Sequence, residues 1–242
     1  MTSIEKNGDV VLEQIWADVQ RLRNTDGDNA NDATTTTVTL SNHLKSGYTT
    51  DEASQVRELV HKDAFNVVPP PVDCPAWLCI VLPCINHLKS MKAHKNCTPE
   101  DAEVLRNGQW IRYDAASLVL GDVIRLEEGD IVPADCVVVV DDDDQDVLLV
   151  DLRVVTGQSR PKQLNANEVS TRTRNQRTLL YGGTVVQGHA TALVTATGTE
   201  TVLGQLIKNG KFPVPDNENE DEETMTMNET TNMTAMEMGT IS

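Results

Sequence analysis

Two short motifs in the first half of the chain place a cysteine and a histidine three positions apart: Cys84-x-x-His87 and His94-x-x-Cys97. Thiolate sulfur and imidazole nitrogen are the usual ligands of tetrahedral zinc, and four such groups complete one structural site. The gap of six residues between the two halves is short for a site of this type. Zinc binding by Cys84, His87, His94 and Cys97 is therefore one hypothesis for this segment.

The same segment contains cysteines that are candidates for lipid attachment: Cys74, Cys79 and Cys84. They lie in a short apolar stretch that prolines interrupt, and lysines follow at positions 89, 92 and 95. An acyl chain on a thiol, together with a basic patch on an anionic surface, supplies the two signals that stable membrane anchoring requires. The third interpretation is a buried apolar strap over the rest of the protein, in which the thiols act as small hydrophobic groups.

The net charge of the chain is −17, and acidic blocks at 141–144 and 216–223 contribute to it. A surface this acidic repels nucleic acid and anionic lipid unless a local patch overrides it, so nucleic acid is not an expected partner. The first block joins two predicted strands and is expected to be a solvated loop tip, because its spacing differs from that of a twelve-residue calcium loop. The second block is expected to be a solubilising tail. No cofactor is expected.

The five cysteines are an odd number, and the N-terminus reads Met-Thr-Ser-Ile-Glu-Lys without the apolar core of a secretory signal. Reduced thiols in the cytoplasm are therefore expected, with peripheral association at the cytosolic face of a membrane as an alternative. A membrane-spanning helix needs roughly 20 apolar residues. The longest apolar candidate, 72–85, is shorter and contains Pro75 and Pro83, so no transmembrane helix is predicted.

Apolar residues at helical spacing predict a helix over 9–23, and the polar stretch 24–42 is expected to be a disordered linker. A second helix is predicted over 50–64, where Thr49 and Glu52 fit a capping box. These patterns divide the chain into five parts: an N-terminal helix and disordered linker (1–45), a helical segment (46–68), a Cys/Pro apolar strap (69–101), a β domain (102–209) and a disordered acidic tail (210–242).

Short runs rich in Val, Leu and Thr recur between 103 and 208, separated by Gly, Asp and Asn. The Asn107-Gly108 pair predicts a two-residue hairpin turn between the first two strands. Frequent turns between short strands indicate a mainly β fold, a small sandwich or barrel, and a helix is predicted to follow at 200–209. The predicted strands are 103–106, 110–113, 123–127, 136–140, 147–151, 178–181, 184–187 and 190–197.

Four phrases in this region carry a family resemblance: EVLRNGQW at 103–110, SLVLGDVIRLEEGDIVPADC at 117–136, VTGQSRPK at 155–162, and GGTVVQGHATALVTATGTETVLGQL at 182–206. In order, spacing and turn glycines they resemble the actuator domain of P-type ATPases, especially the cation and proton pumps. The resemblance implies a distorted jelly roll, or double-stranded β-helix, with flanking N-terminal helices. The stretch 47–68 resembles more weakly the segment that precedes the first membrane helices of these pumps.

In that family a TGES loop enters the phosphorylation site of another domain, where its glutamate activates the water that hydrolyses an aspartyl phosphate. The corresponding residues here are Thr156, Gly157, Gln158 and Ser159, so an amide stands where the resemblance implies the glutamate. An amide can hold a water by hydrogen bonds but cannot accept its proton at neutral pH. General-base assistance is commonly worth about 10²- to 10⁴-fold in rate. The loop is therefore expected to be degenerate and to contribute no catalytic residue.

Other parts of a pump are not found in the sequence. It contains no DKTG-type phosphorylation motif and no nucleotide-binding domain, and 73–97 stands where the resemblance implies a membrane hairpin. The expectation is a stand-alone, non-catalytic actuator-domain protein that does not pump ions or act as an enzyme by itself. Its role would be that of an interaction or regulatory module related to cation transport, with a P-type ATPase or another membrane protein as partner.

Two other functions stay open on the sequence. The chain could be a truncated gene product or a split subunit of a cation-transporting P-type ATPase, since the resemblance stops soon after TVLGQL. It could instead be a stand-alone acyl-phosphate hydrolase. The hydrolase needs a nucleophile beside a base, and the sequence offers no such pair that can be placed together.

Overall fold

The computed structural model describes residues 38–60, 65–72, 88–139, 147–165 and 177–215, together with Ala17. Several predictions concern other residues: helix 9–23 apart from Ala17, the linker up to residue 37, Cys74, Cys79, Cys84, His87, the acidic block 141–144 and the tail from 216 onward. These lie outside the described residues and stay predictions.

The described strands form two antiparallel sheets. Their bounds are β1 Asp101–Arg106, β2 Gln109–Asp114, β3 Val123–Leu126, β4 Asp135–Val138, β5 Val147–Asp151, β6 Lys162–Asn165, β7 Thr178–Leu179, β8 Thr184–Gln187 and β9 Ala190–Ala196. One sheet has six strands in the order β2-β1-β3-β9-β4-β7, and the other has three in the order β6-β5-β8. All pairings between these strands are antiparallel, which confirms the mainly β expectation. The jelly-roll topology stays a prediction.

The hairpin between β1 and β2 turns at Asn107 and Gly108, as predicted. Both residues have positive φ, 52° and 72°, which is the backbone of the two-residue turn that matches the twist of a hairpin. The turn sets the register of the two strands, in which Arg106 lies opposite Gln109 and Asp101 lies opposite Asp114.

The helices that the structure bounds are α1 Val38–Ser46, α2 Thr50–Val60, α3 Lys89–Cys97, α4 Arg153–Thr156 and α5 Val202–Lys208. One predicted helix start has the expected chemistry. The Glu52 N–H donates to Thr49 Oγ1 and the Thr49 N–H donates to Glu52 Oε2, which completes the capping box of α2. Among the described helices, none combines the length and the apolar character that crossing a bilayer requires.

Helix α1 corrects the prediction of a disordered linker, since it begins at Val38 inside the stretch 24–42. Ser, Thr and Asn are weak helix formers, so the sequence gives little indication of it. Packing supplies the stabilisation instead, because the His43 ring is buried and its Nε2 lies 2.8 Å from the Gly121 carbonyl oxygen. Gly47 ends the helix in a left-handed conformation, with its N–H donating to the His43 carbonyl.

Two further elements differ from the predictions. Helix α3 lies within 69–101, which was predicted as a Cys/Pro apolar strap without a helix of its own, and its Cys97 is buried in a cluster with Val68 and Leu203. Strand β6 is additional, because its sequence Lys-Gln-Leu-Asn has little β propensity and the strand depends on pairing with β5.

Strand β9 lies at the centre of the molecule and all seven of its residues are buried. One face packs with the three-stranded sheet in the main core, which includes Leu148, Val150 and Val185. The other face contributes Leu193 to a second cluster formed with Tyr48, which lies between α1 and α2. Coverage on both faces explains why β9 is a continuous run of apolar and small residues rather than an alternating pattern.

Candidate functional site

The loop at 156–159, called the TGQS loop below, follows directly on the single turn of α4. Gly157 closes that turn with φ 72°, and its N–H donates to the Arg153 carbonyl oxygen over 2.8 Å. A left-handed residue at the end of a helix is nearly always glycine, because a Cβ would be strained there. The chain therefore reverses direction at a fixed point, and the next residue projects from the domain.

Side chains hold the TGQS loop on both sides of Gly157. Thr156 Oγ1 donates to the Leu152 carbonyl and accepts the Gln158 N–H at 3.3 Å. On the other side, Arg153 Nη2 donates to the Ser159 carbonyl, also over 3.3 Å. Both contacts close a compact loop in which Gly157 is buried while the Gln158 side chain is exposed.

Asp151, an acidic residue close to the TGQS loop in sequence, is already engaged by Arg153. Asp151 Oδ1 accepts the Arg153 N–H at 2.8 Å, and its Oδ2 lies 3.8 Å from Arg153 Nη2. Asp151 thus positions the start of α4 and helps to hold the arginine. At the tip of the loop, the Gln158 amide can donate and accept hydrogen bonds. It cannot take up a proton at neutral pH as a base would.

The segment after α5 runs back against the TGQS loop. Phe212 is buried in a cluster with Val155 of α4. A methyl group placed on Gly157 would lie 2.5 Å from the Pro215 carbonyl oxygen and 3.0 Å from Val214 Cγ1. The glycine is therefore required for close approach of another backbone as well as for its φ angle.

A buried carboxylate positions this segment. Asp135 Oδ1 accepts the Tyr181 N–H at 2.8 Å, and Oδ2 accepts the Val202 N–H at 2.7 Å. Thr201 Oγ1 caps the same helix by accepting the Gly204 N–H. Strand β4 and helix α5 are thereby joined at one point, and α5 directs residues 212–215 toward the TGQS loop.

A second buried polar cluster lies where α1 and the residue Tyr48 after it contact the β domain. Arg106 Nη2 lies 2.6 Å from Asp122 Oδ2, which also accepts the Val119 N–H. Burial raises the pKa of Asp122 to about 6, although the Arg106 charge opposes that effect. Beside this pair, the rings of His43 and Tyr48 lie 4.3 Å apart, and burial lowers the pKa of His43.

The proposed zinc ligands are only partly described. His94 and Cys97 lie one turn apart on α3; His94 Nε2 is 3.0 Å from the Val68 carbonyl oxygen, and Cys97 Sγ donates to the His94 carbonyl. Burial raises the pKa of Cys97 to about 11, which keeps it a thiol at neutral pH. No metal-binding group of three or more His, Cys, Asp or Glu residues occurs within the described ranges. Zinc binding with Cys84 and His87 stays a hypothesis.

Two features of the site were not predicted from the sequence. One is the contact of Val214 and Pro215 with the TGQS loop, for which the sequence contains no local pattern. The other is the Arg106–Asp122 pair. An Asp within an apolar run, as Asp122 is within 118–126, could have indicated a buried and paired carboxylate.

Comparison with known proteins shows what residues 96–211 are similar to. The sequence model of a family described as the P-type ATPase actuator domain matches residues 96–211. A Methanocaldococcus jannaschii protein named as a cation-transporting ATPase is 38% identical over 109 residues, which cover 45% of this chain and 12% of that protein. The endoplasmic reticulum calcium ATPase srcA of Aspergillus fumigatus is 35% identical over 122 residues, or 49% of this chain and 12% of its own length. The chain thus spans about one eighth of either relative.

Proposed function

We propose that residues 96–211, which match the sequence model of the P-type ATPase actuator domain, form a non-catalytic docking module that acts on a cation-transporting P-type ATPase. The observation that carries the proposal is the exposed Gln158 at the tip of a loop whose backbone is held by Thr156, Gly157 and Arg153. On this proposal the loop enters the pump's phosphorylation site and brings an amide there instead of a proton-accepting carboxylate.

Such docking would inhibit one step of the pump's cycle, the hydrolysis of the aspartyl phosphate. A pump whose phosphorylation site is filled by this loop has its aspartyl phosphate covered by an amide. The amide can hold the attacking water but cannot accept its proton, so hydrolysis loses general-base assistance. The chain would therefore compete with the pump's own actuator domain and prolong the life of the phosphoenzyme.

The test adds the full chain to a purified cation-transporting P-type ATPase that has been phosphorylated with labelled ATP. We expect the decay of the label to slow with increasing protein and to reach a plateau. The variant Arg112→Ala, which alters an exposed strand of the six-stranded sheet, should slow the decay as the unmodified chain does. An unchanged decay at saturating protein would refute the competition.

We also propose that the chain works at the cytosolic face of a membrane. Helix α3 has exposed Lys89, Lys92 and Lys95, and Leu88 before it is exposed as well. These side chains follow the apolar stretch with the candidate acylation sites Cys74, Cys79 and Cys84. A basic helix next to acylated thiols would supply both anchoring signals.

Fatty-acid labelling of cells that express the chain tests this anchor. The label should be released by hydroxylamine, which cleaves thioesters, and should be absent when Cys74, Cys79 and Cys84 are replaced by Ser. Replacing the buried Cys97 and Cys136 by Ser should leave the label in place. The anchor is excluded if the triple variant partitions to membranes as strongly as the unmodified chain.

A further inference from the structure

Arg153 is a half-exposed cation at the base of the TGQS loop. Its side chain retains 49% of its accessible surface, and its Nη2 donates to the Ser159 carbonyl oxygen over 3.3 Å. Ser159 directly follows Gln158, so the guanidinium contacts the neighbour of the exposed residue at the tip. Within the described residues, the contacts of this guanidinium involve Nη2 alone, although the group carries five N–H donors. Most of its donors can therefore bind a further group.

The charge of Arg153 is only weakly balanced. Asp151 Oδ2 lies 3.8 Å from Arg153 Nη2, which is too long for a hydrogen bond, and Asp151 Oδ1 is engaged by the Arg153 backbone N–H. Both side chains contact solvent, and exposed pairs of this kind contribute little. An anion with more charge and better geometry can therefore displace Asp151 from the guanidinium while Asp151 still holds the start of α4.

A phosphoryl group has the chemistry that such a guanidinium binds best. It carries about −2 charge at neutral pH and presents three acceptor oxygens. A guanidinium can bind two of those oxygens through parallel hydrogen bonds, which an amide or an ammonium group cannot do with the same geometry and charge. Under the proposed docking, the tip of the TGQS loop meets an aspartyl phosphate, and Arg153 accompanies it.

We propose that Arg153 binds the phosphoryl group of the pump's aspartyl phosphate and thereby makes the module selective for the phosphorylated pump. This role rests on the proposed function and adds to it the residue that determines which state of the pump is bound. Gln158 is uncharged, and its amide forms hydrogen bonds with a free carboxylate as readily as with a phosphate. The guanidinium distinguishes the two, because its attraction to an anion increases with the charge of that anion.

Binding of the full chain to a purified cation-transporting P-type ATPase tests this selectivity. The phosphorylation-site aspartate of the pump is either free or carries beryllium trifluoride, a stable analogue of the phosphoryl group. The unmodified chain should bind the second form more tightly. Arg153→Met should reduce that preference about tenfold, the value of one hydrogen bond between charged groups. The matched control is Arg112→Met, since Arg112 is similarly exposed and lies 3.6 Å from Asp101; it should keep the preference.

Two further variants separate recognition of the phosphoryl group from support of the loop. Asp151→Asn keeps an oxygen that can accept the Arg153 N–H but removes the competing charge, so the preference should increase about two- to threefold. Thr156→Ala removes the hydrogen bonds of that hydroxyl group and loosens the loop without changing its charge. It should weaken binding to both forms of the pump equally and leave the preference unchanged.

The outcomes distinguish failure of this selectivity from failure of docking. Equal binding of both pump forms by the unmodified chain, or an unchanged preference in Arg153→Met, would overturn the role of Arg153 and leave docking intact. A preference that does not increase in Asp151→Asn, or that Thr156→Ala lowers as much as Arg153→Met does, would assign the effect to loop structure and overturn it too. Lack of binding to either form would refute the docking and the selectivity together.

Discussion

Replacing Asp122 by Ala should lower the free energy of unfolding by about 3 to 5 kcal/mol, the usual cost of breaking a buried ion pair from one side. Asp122 is fully buried and its Oδ2 lies 2.6 Å from Arg106 Nη2, so the variant leaves a buried guanidinium without its counter-charge. The Val119 N–H loses its acceptor as well. Urea unfolding at pH 7.5, followed by circular dichroism, measures the change.

An exposed ion pair provides the matched control. Arg112 and Asp101 are 3.6 Å apart, but both side chains retain more than half of their accessible surface. Exposed pairs contribute about 0 to 1 kcal/mol, so Asp101→Ala should be nearly neutral. The double variant Asp122→Leu, Arg106→Met should recover much of the loss, since apolar residues of similar volume often replace a buried pair without cost. A single Asp122 variant as stable as Asp101→Ala would contradict the assignment.

In the same cluster, Asp122 and His43 should make the free energy of unfolding depend on pH in opposite directions. The pKa of Asp122, about 6 in the folded protein, is above the value near 4 of an unfolded aspartate. Its contribution to folding is therefore fully present below about pH 4 and is lost as the pH rises through 6. Burial lowers the pKa of His43, so that residue costs stability as the pH falls below about 6.5. Asp122→Ala removes the first part and leaves the second.

Under the proposed docking, replacing Gln158 by Glu should turn slowed hydrolysis of the phosphoenzyme into accelerated hydrolysis. A carboxylate at the exposed tip of the TGQS loop supplies the missing proton acceptor, and general-base catalysis is worth about 10²- to 10⁴-fold. The decay of a phosphoenzyme saturated with Gln158→Glu should therefore be faster by about that factor than with the unmodified chain. Rapid-quench measurement of the labelled phosphoenzyme gives both rates.

The control for this prediction is Gln158→Ala. It removes the amide without adding a base, and the loop backbone is held by Thr156, Gly157 and Arg153, so docking should persist without acceleration. Equal decay rates for Gln158→Glu and Gln158→Ala, with both proteins shown to bind, would mean that the loop does not reach the phosphate.

Elements with local causes were predictable from the sequence. The Asn107-Gly108 turn, the Thr49–Glu52 capping box and most strands follow from residue types a few positions apart. Elements that depend on contacts between residues far apart in sequence were not predictable. Helix α1 requires the Gly121 carbonyl, 78 residues from His43, and strand β6 requires pairing with β5.

The candidate site also combines features that the sequence predicts with features that depend on contacts distant in sequence. The position of Gln158 within its motif could be read from the sequence once the family resemblance placed it. The approach of Pro215 to Gly157 joins positions 58 residues apart and depends on how α5 is held by Asp135. No periodicity or spacing along the chain encodes that distance, so this contact could be found only from the structure.

The docking of α1 and α2 on the second face of the six-stranded sheet has a consequence for where the folding unit begins. Residues 96–211 carry the family match, yet Leu105, Val123 and Leu193 are kept from water by Tyr48 and Val56. A polypeptide that began at residue 96 would present these side chains as a continuous apolar surface, which promotes self-association. The range that matches the family model and the range that covers these apolar side chains are therefore different, and the second includes Tyr48 and Val56.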